Sequence, residues 1–143
     1  MKSYTDEQRT WAVEQVLNGL RAGTPLTIIC SADGMPCDDT IRAWAAGDED
    51  LSRAIACARE TGFDRIAMDA LAIADEVTDR DTIVTQHGEI PNKEWLMRSK
   101  LRVDTRLKLL AKWDPKRYGE MIKHAGADGG PMAITVNSED AGL

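Results

Sequence analysis

Apolar residues recur at steps of three and four along most of this chain, the signature of helices with one buried face. Val13, Val16, Leu17 and Leu20 form the first such stripe, with Trp11 near its start. Thr5 and Gln8 have capping-box spacing ahead of it, Asp6 and Glu7 suit the positive end of the helix dipole, and Gly23 ends the helix. Pro25 is placed for the first turn of a short second helix, in which Leu26, Ile29 and Cys30 share a face. Asp33-Gly34-Met35-Pro36 breaks that helix, because Gly permits positive φ and Pro biases its predecessor out of the helical region. Asp38 then caps another helix, where Ile41, Trp44 and Ala45 repeat the pattern. Two short helices, a Gly-containing turn and facing apolar stripes predict a helix-turn-helix, the second helix being the one offered to a DNA major groove.

Beyond Gly47 the periodicity lengthens. Leu51, Ile55, Ala58, Gly62, Ile66, Ala70, Ile73 and Val77 predict one helix from about Asp48 to about Thr78, without an internal proline. At about 1.5 Å per residue it would measure roughly 45 Å, too long to be covered by a small N-terminal unit. Its small inner residues, including Ala58, Gly62 and Ala70, allow close helix approach within the chain and between subunits, and Gly62 is a candidate kink. The period changes at Ile83-Val84-Thr85, where β-prone residues, a His87-Gly88 turn and Ile90 predict a small hairpin. A third large helix follows from near Asn92 to Trp113, with Leu96, Val103, Leu107 and Leu110 on one face. Arg98, Arg102 and Arg106 make a basic stripe on it; two readings compete, a face toward a DNA backbone and, favoured by the acidic segment upstream, pairing with acids of the long helix such as Asp64, Asp69, Asp75 or Glu76, within the chain or between subunits. Asp114-Pro115 stops that helix, and Lys116-Arg117-Tyr118-Gly119 makes a basic turn. Past a Gly-rich linker, Met132 to Val136 reads as a lone strand, which needs partners from neighbouring subunits to be stable.

Charge sharpens this picture. The 143 residues carry a net charge of −6, which argues against coating DNA by charge alone. Residues 48–80 hold 4 bases and 9 acids, whereas residues 81–124 hold 10 bases and 6 acids, so an acidic middle precedes a basic segment. The four tryptophans, Trp11, Trp44, Trp95 and Trp113, are each expected to anchor a different helix. Cys30, Cys37 and Cys57 form no CxxC pair and read as reduced thiols, so neither a disulfide frame nor a metal site is expected. No apolar run approaches the roughly 20 residues of a membrane span, and the N-terminus lacks a signal-peptide core; a cytosolic protein without membrane partners is expected. No GxxxxGK[ST] loop is present, and His87 and His124 lie far apart without nucleophilic or metal-binding spacing, so neither catalysis nor a cofactor is expected.

Three stretches together carry a family resemblance: Gly34-Met35-Pro36 followed by Thr40-Ile41 and Trp44, then Leu101-Arg102-Val103-Asp104-Thr105-Arg106, then Pro115-Lys116-Arg117-Tyr118-Gly119. The chain resembles the small subunit of tailed-bacteriophage DNA-packaging terminases from about Thr5 to Gly119. The resemblance implies a non-catalytic protein of the host cytoplasm that binds the packaging site on double-stranded DNA. It would assemble as a homo-oligomeric ring through its central helices and deliver DNA to the large terminase subunit, which carries the ATPase and nuclease. It also implies an intersubunit barrel built from the C-terminal strand. One departure is visible: relatives often carry a base immediately before the recognition-helix tryptophan, whereas here Ala43 holds that place and Arg42 precedes it.

The expected architecture is therefore mainly α. Residues 1–47 form a DNA-binding helix-turn-helix, residues 48–124 a central helical oligomerisation domain with a small hairpin, and residues 125–143 a linker and strand. The candidate DNA contacts are Arg9, Arg21, Cys37, Asp39, Thr40, Arg42, Lys116 and Arg117, with Thr40 and Arg42 foremost. Asp39 is included because a carboxylate accepts a hydrogen bond from cytosine N4, although capping is its commoner duty. The candidate oligomerisation residues are Ala58, Gly62, Ala70, Arg98, Arg102 and Arg106. The competing reading is a dimeric helix-turn-helix transcription regulator.

Overall fold

The computed structural model describes residues 3–120; the Met132–Val136 segment and His124 lie outside them. The described chain is mainly helical: α1 Asp6–Arg21, α2 Leu26–Ile29, α3 Asp38–Gly47, α4 Glu49–Asp75, strands β1 Thr82–Thr85 and β2 Gly88–Pro91, α5 Lys93–Trp113 and α6 Pro115–Tyr118. The capping box at Thr5 forms as its spacing predicts: Gln8 N–H donates to Thr5 Oγ1 (3.2 Å) and Thr5 N–H to Gln8 Oε1 (3.0 Å). Asp48 caps α4 by accepting from Leu51 N–H at 3.1 Å, and Asn92 caps α5 by accepting from Trp95 N–H at 3.3 Å.

The long helix α4 is the spine, packing against α1, α3 and α5. The core of the N-terminal unit gathers Val16 and Leu20 of α1, Leu26 of α2 and Ile41 of α3, and is closed by Leu51, Ile55 and Ala58 of α4. That core therefore crosses the boundary expected at Gly47. The first half of α4 supplies a wall that helices as short as α2 and α3 cannot supply for themselves. Farther along α4, α5 covers the same spine and buries Leu110 and Ala70.

Several local expectations are corrected. Helix α4 stays continuous at Gly62 and ends at Asp75, three residues before Thr78. The reason for the early stop is local side-chain competition: Asp81 Oδ2 accepts from Thr78 N–H at 2.9 Å, and Thr78 Oγ1 accepts from Arg80 N–H at 3.3 Å. The hairpin pairs Thr85 with Gly88, so Gln86 and His87 form its two-residue loop and Gly88, at φ +115°, opens β2. Residue Cys37, not Asp38, is the N-cap of α3, and Asp38 and Asp39 fall in the first turn. Trp95 and Trp113 share α5 instead of anchoring separate helices.

Candidate nucleic-acid interface

The unit of α2, the turn after it and α3 is fixed from inside. Pro36 is fully buried in the turn, Gly34 takes φ +82°, and Met35 N–H donates to the Ala32 carbonyl at 3.2 Å. Ile41 anchors the inner side of α3 with 1% of its surface exposed. Trp44 sits edge-to-face with Tyr4, ring centroids 5.5 Å apart, and the Arg9 guanidinium lies 5.1 Å from the Trp44 ring. Helix α3 thus turns Asp39, Arg42, Ala43 and Ala46 outward as one exposed face.

Arg42 is the cation of that face, with 56% of its side chain exposed. It pairs with Asp38 (3.1 Å) and Asp39 (3.3 Å) of its own first turn. Exposed i,i+3 and i,i+4 pairs contribute about 0.3–0.5 kcal/mol each, so a phosphate can displace either carboxylate at small cost. Both acids also favour the N-terminal end of α3, where anionic charge complements the helix dipole. Cys37 Sγ and Thr40 Oγ1 are 3.1 Å apart, a contact that draws the Cys37 thiol below its ordinary range while the neighbouring Asp39 and Asp38 oppose the shift. Thr40 is half-buried and tied to Cys37 through its backbone as well, which sets its hydroxyl at the start of α3.

The remaining candidate cations are scattered. Arg9 is stacked on Trp44, and Arg21 is exposed in the last turn of α1 with Asn18 Oδ1 accepting from it at 3.3 Å. Lys116 is exposed on α6. Arg117 is taken up by the fold: Nη1 donates to Asp64 Oδ1 at 2.8 Å, Nη2 to the Glu60 carbonyl at 3.2 Å, and Nε to Asp114. Those carboxylates push its pKa further up, chiefly through the hydrogen bond to Asp114. The Tyr118 hydroxyl donates to the same Asp64 oxygen at 2.6 Å. The basic turn after α5 is therefore a clip that fastens α6 to α4, because Pro115 restarts the chain as a short helix from which Arg117 and Tyr118 reach Asp64.

The oligomerisation candidates are redistributed in the same way. Ala58 is 1% exposed inside the N-terminal core, and Ala70 is buried as well. Gly62 carries the α1–α4 crossing, since a Cβ there would collide with the Leu20 carbonyl oxygen. These small residues serve close approach within the chain. Nor does the arginine stripe of α5 meet the acids of α4: Arg98 pairs with Glu94 at 3.3 Å, Arg106 donates to the Arg102 carbonyl at 3.1 Å, and Asp69 pairs with Arg65 at 3.6 Å. The i,i+4 partners lie closer than anything across the helix pair.

What remains uncovered is apolar. Met97 and Leu101 on α5 are 71% and 65% exposed, and Met68 and Leu71 on α4 are 62% and 54% exposed. Leu101 stands nine residues before fully buried Leu110, about 180° around the helix, so α5 is apolar on two opposite sides. The signal was present in the sequence as an i,i+4 pair, Met97 and Leu101, outside the stripe that runs through Leu110. Among the described residues, no helix is long and apolar enough to cross a membrane, and no group of three or more His, Cys, Asp or Glu side chains is placed to hold a metal ion.

Residues 8–125 match the family model described as bacteriophage Sf6, terminase small subunit-like. No curated protein sequence matches the chain. Among solved structures, the chain is similar to three point variants of the terminase small subunit gp1 of the bacterial virus Sf6, each 29% identical over 96% of this chain. Two of them are covered in full, with TM-scores of 0.61 and 0.60, and the third over 95% of its length, with a TM-score of 0.59.

Proposed function

The chain belongs to the bacteriophage Sf6 terminase small subunit-like family, whose role is phage DNA packaging, and on that premise we propose that it is a non-catalytic reader of double-stranded DNA that works as a ring of many copies in the host cytoplasm. The reading helix α3 contacts the packaging site through Arg42 and Thr40. The assembled ring then delivers DNA to the large terminase subunit, whose ATPase and nuclease it regulates. The observation that carries this reading is the division of the molecule into two outward faces. One is the exposed side of α3, with a single cation weakly held by two exposed carboxylates. The other is apolar: Met68 and Leu71 of α4 and Met97 and Leu101 of α5 are each more than half exposed.

A surface of this kind suits burial against further copies of the chain. A reader with one available arginine binds weakly alone. Many readers on one particle raise the effective concentration of each for a shared duplex, so modest contacts sum. Native mass spectrometry of the full chain, alone and with packaging-region duplex, tests the reading. A closed assembly of many copies that binds duplex supports it; a dimer overturns the ring and restores the regulator alternative.

A further inference from the structure

A cleft of about 370 Å³ opens where the N-terminal unit meets α4, and two arginines from different elements line it, Arg42 of α3 and Arg59 of α4. Thr24 and Thr27, which flank the start of α2, bring hydroxyls to the same cleft, and Phe63 and Trp113 give it apolar surface. Those two rings are stacked, with centroids 6.0 Å apart at 28°, which gives the α4 side of the cleft a fixed wall.

Arg59 differs from the other arginines of α4. Arg53 reaches Glu49 and Asp50, and Arg65 reaches Asp69. The positions three and four residues from Arg59 are Ile55, Ala56, Gly62 and Phe63, so the helix offers it no carboxylate at the spacings where side chains meet. It makes no ion pair among the described residues. An exposed guanidinium without a local partner, sharing a cleft with the one cation of the reading helix, has a fork of donors free for an anion.

We infer that Arg59 is a second DNA-binding residue, which together with Arg42 holds the sugar–phosphate backbone of duplex DNA beside the reading helix. Thr24 and Thr27 supply neutral donors to the same strand. The inference rests on the DNA-reading role proposed above and extends its contact surface from α3 onto the spine. Three considerations favour a nucleic-acid backbone over an acidic peptide. The cleft is continuous with α3 through Arg42. Most protein–DNA hydrogen bonds go to phosphate and sugar, from guanidinium and hydroxyl donors of these kinds. The arginine that flanks the reading unit on its other side, Arg9, is occupied by Trp44, and Arg117 by Asp64.

The test is a salt-series titration of the assembled full chain with packaging-region and random-sequence duplexes. It compares wild type, Arg59→Gln, Arg59→Lys and Arg42→Gln, with assembly mass followed by light scattering. Each phosphate contact contributes about 0.9 to the log–log salt slope, so Arg59→Gln lowers the slope by about 1 per engaged subunit and weakens binding about eightfold at 0.1 M salt. A phosphate contact predicts the same loss on both duplexes, with Arg59→Lys retaining the slope. An unchanged slope for Arg59→Gln, while Arg42→Gln lowers it, overturns the assignment and leaves DNA reading by α3 standing. Wild type that fails to bind duplex even at low salt overturns both. A loss that follows dissociation of the particle, or that appears only toward an acidic aromatic peptide used as competitor, assigns Arg59 to a protein contact and overturns the proposal.

Discussion

Arg117 Nη1 lies 2.8 Å from Asp64 Oδ1, the one ion pair among the described residues that joins segments far apart in sequence. Tyr118 donates to the same oxygen, and the Arg117 guanidinium lies 5.4 Å from the Tyr118 ring. Asp64 is thus the anchor for α6. Replacing it with Asn leaves Arg117 without its cross-helix carboxylate and weakens attachment of α6. Because the pair is well exposed, the expected global loss is small, a slight fall of the urea midpoint. A larger local effect, release of the 114–118 amides to hydrogen exchange, is the sharper readout. Protection unchanged in Asp64→Asn would dismiss the clip.

The same contact has a pH signature. The hydrogen bond to Asp64 raises the Tyr118 pKa above its ordinary 10.0, because ionising the phenol would remove the donor beside a carboxylate. A raised folded-state pKa stabilises the fold fully below pH 10 and loses that contribution as pH rises through the folded value. Wild type should therefore lose stability above pH 10 more steeply than Tyr118→Phe, which has no phenol to ionise there. Parallel melting curves for the two proteins between pH 9 and 11 would refute the linkage.

Gly62 sits against the Leu20 carbonyl, a backbone atom that cannot swing aside. Gly62→Ala, ordinarily favourable in a helix by about 1 kcal/mol, should here be destabilising by about 1–3 kcal/mol through overpacking. Chemical denaturation decides the sign. A stabilised variant would mean that the two helices separate readily.

Assembly should fail without unfolding when the exposed apolar side is charged. Met97→Glu with Leu101→Glu changes two residues that are mostly solvent-facing in the single chain, so helical circular dichroism should persist while light scattering reports a smaller particle. A full-sized particle carrying both glutamates would exclude this face from the subunit interface.

DNA affinity should respond oppositely to the two signs of charge on α3. Arg42→Ala removes the cation and should weaken binding several-fold at low salt, whereas Asp39→Asn removes a competing carboxylate and should tighten it. Fluorescence anisotropy over a salt series reads both. Equal, small effects of either sign would move the contact away from α3.

Where the sequence was readable, the information was local. The capping pair of Thr5 with Gln8 joins neighbours three residues apart, so spacing sufficed to find it; Asp48 with Leu51 and Asn92 with Trp95 have the same spacing. The turn at Gly34 and Pro36 and the hairpin at residues 82–91 are equally local, and so is most of the family signature. The stripe of α5 was misplaced because Arg98 has Glu94 one turn away, and that nearer carboxylate won over the acids of α4.

By itself, then, the sequence determined most of the helices, the Thr5 cap, the turn between α2 and α3, and the family. Each of these is written in periods of two to four residues or in short motifs. Only the tertiary structure decided what the shared residue types do. Ala58, Gly62 and Ala70 read as a surface for other subunits until α1 and α5 are seen covering them. Arg117 reads as a DNA contact until α6 folds back onto Asp64, 53 residues earlier in the chain. Met97 and Leu101 stand exposed because the buried side of α5 is the one that carries Leu110. A small residue, an arginine or a leucine specifies a kind of contact; which partner makes it depends on how the chain returns on itself, and no spacing along the sequence encodes that distance.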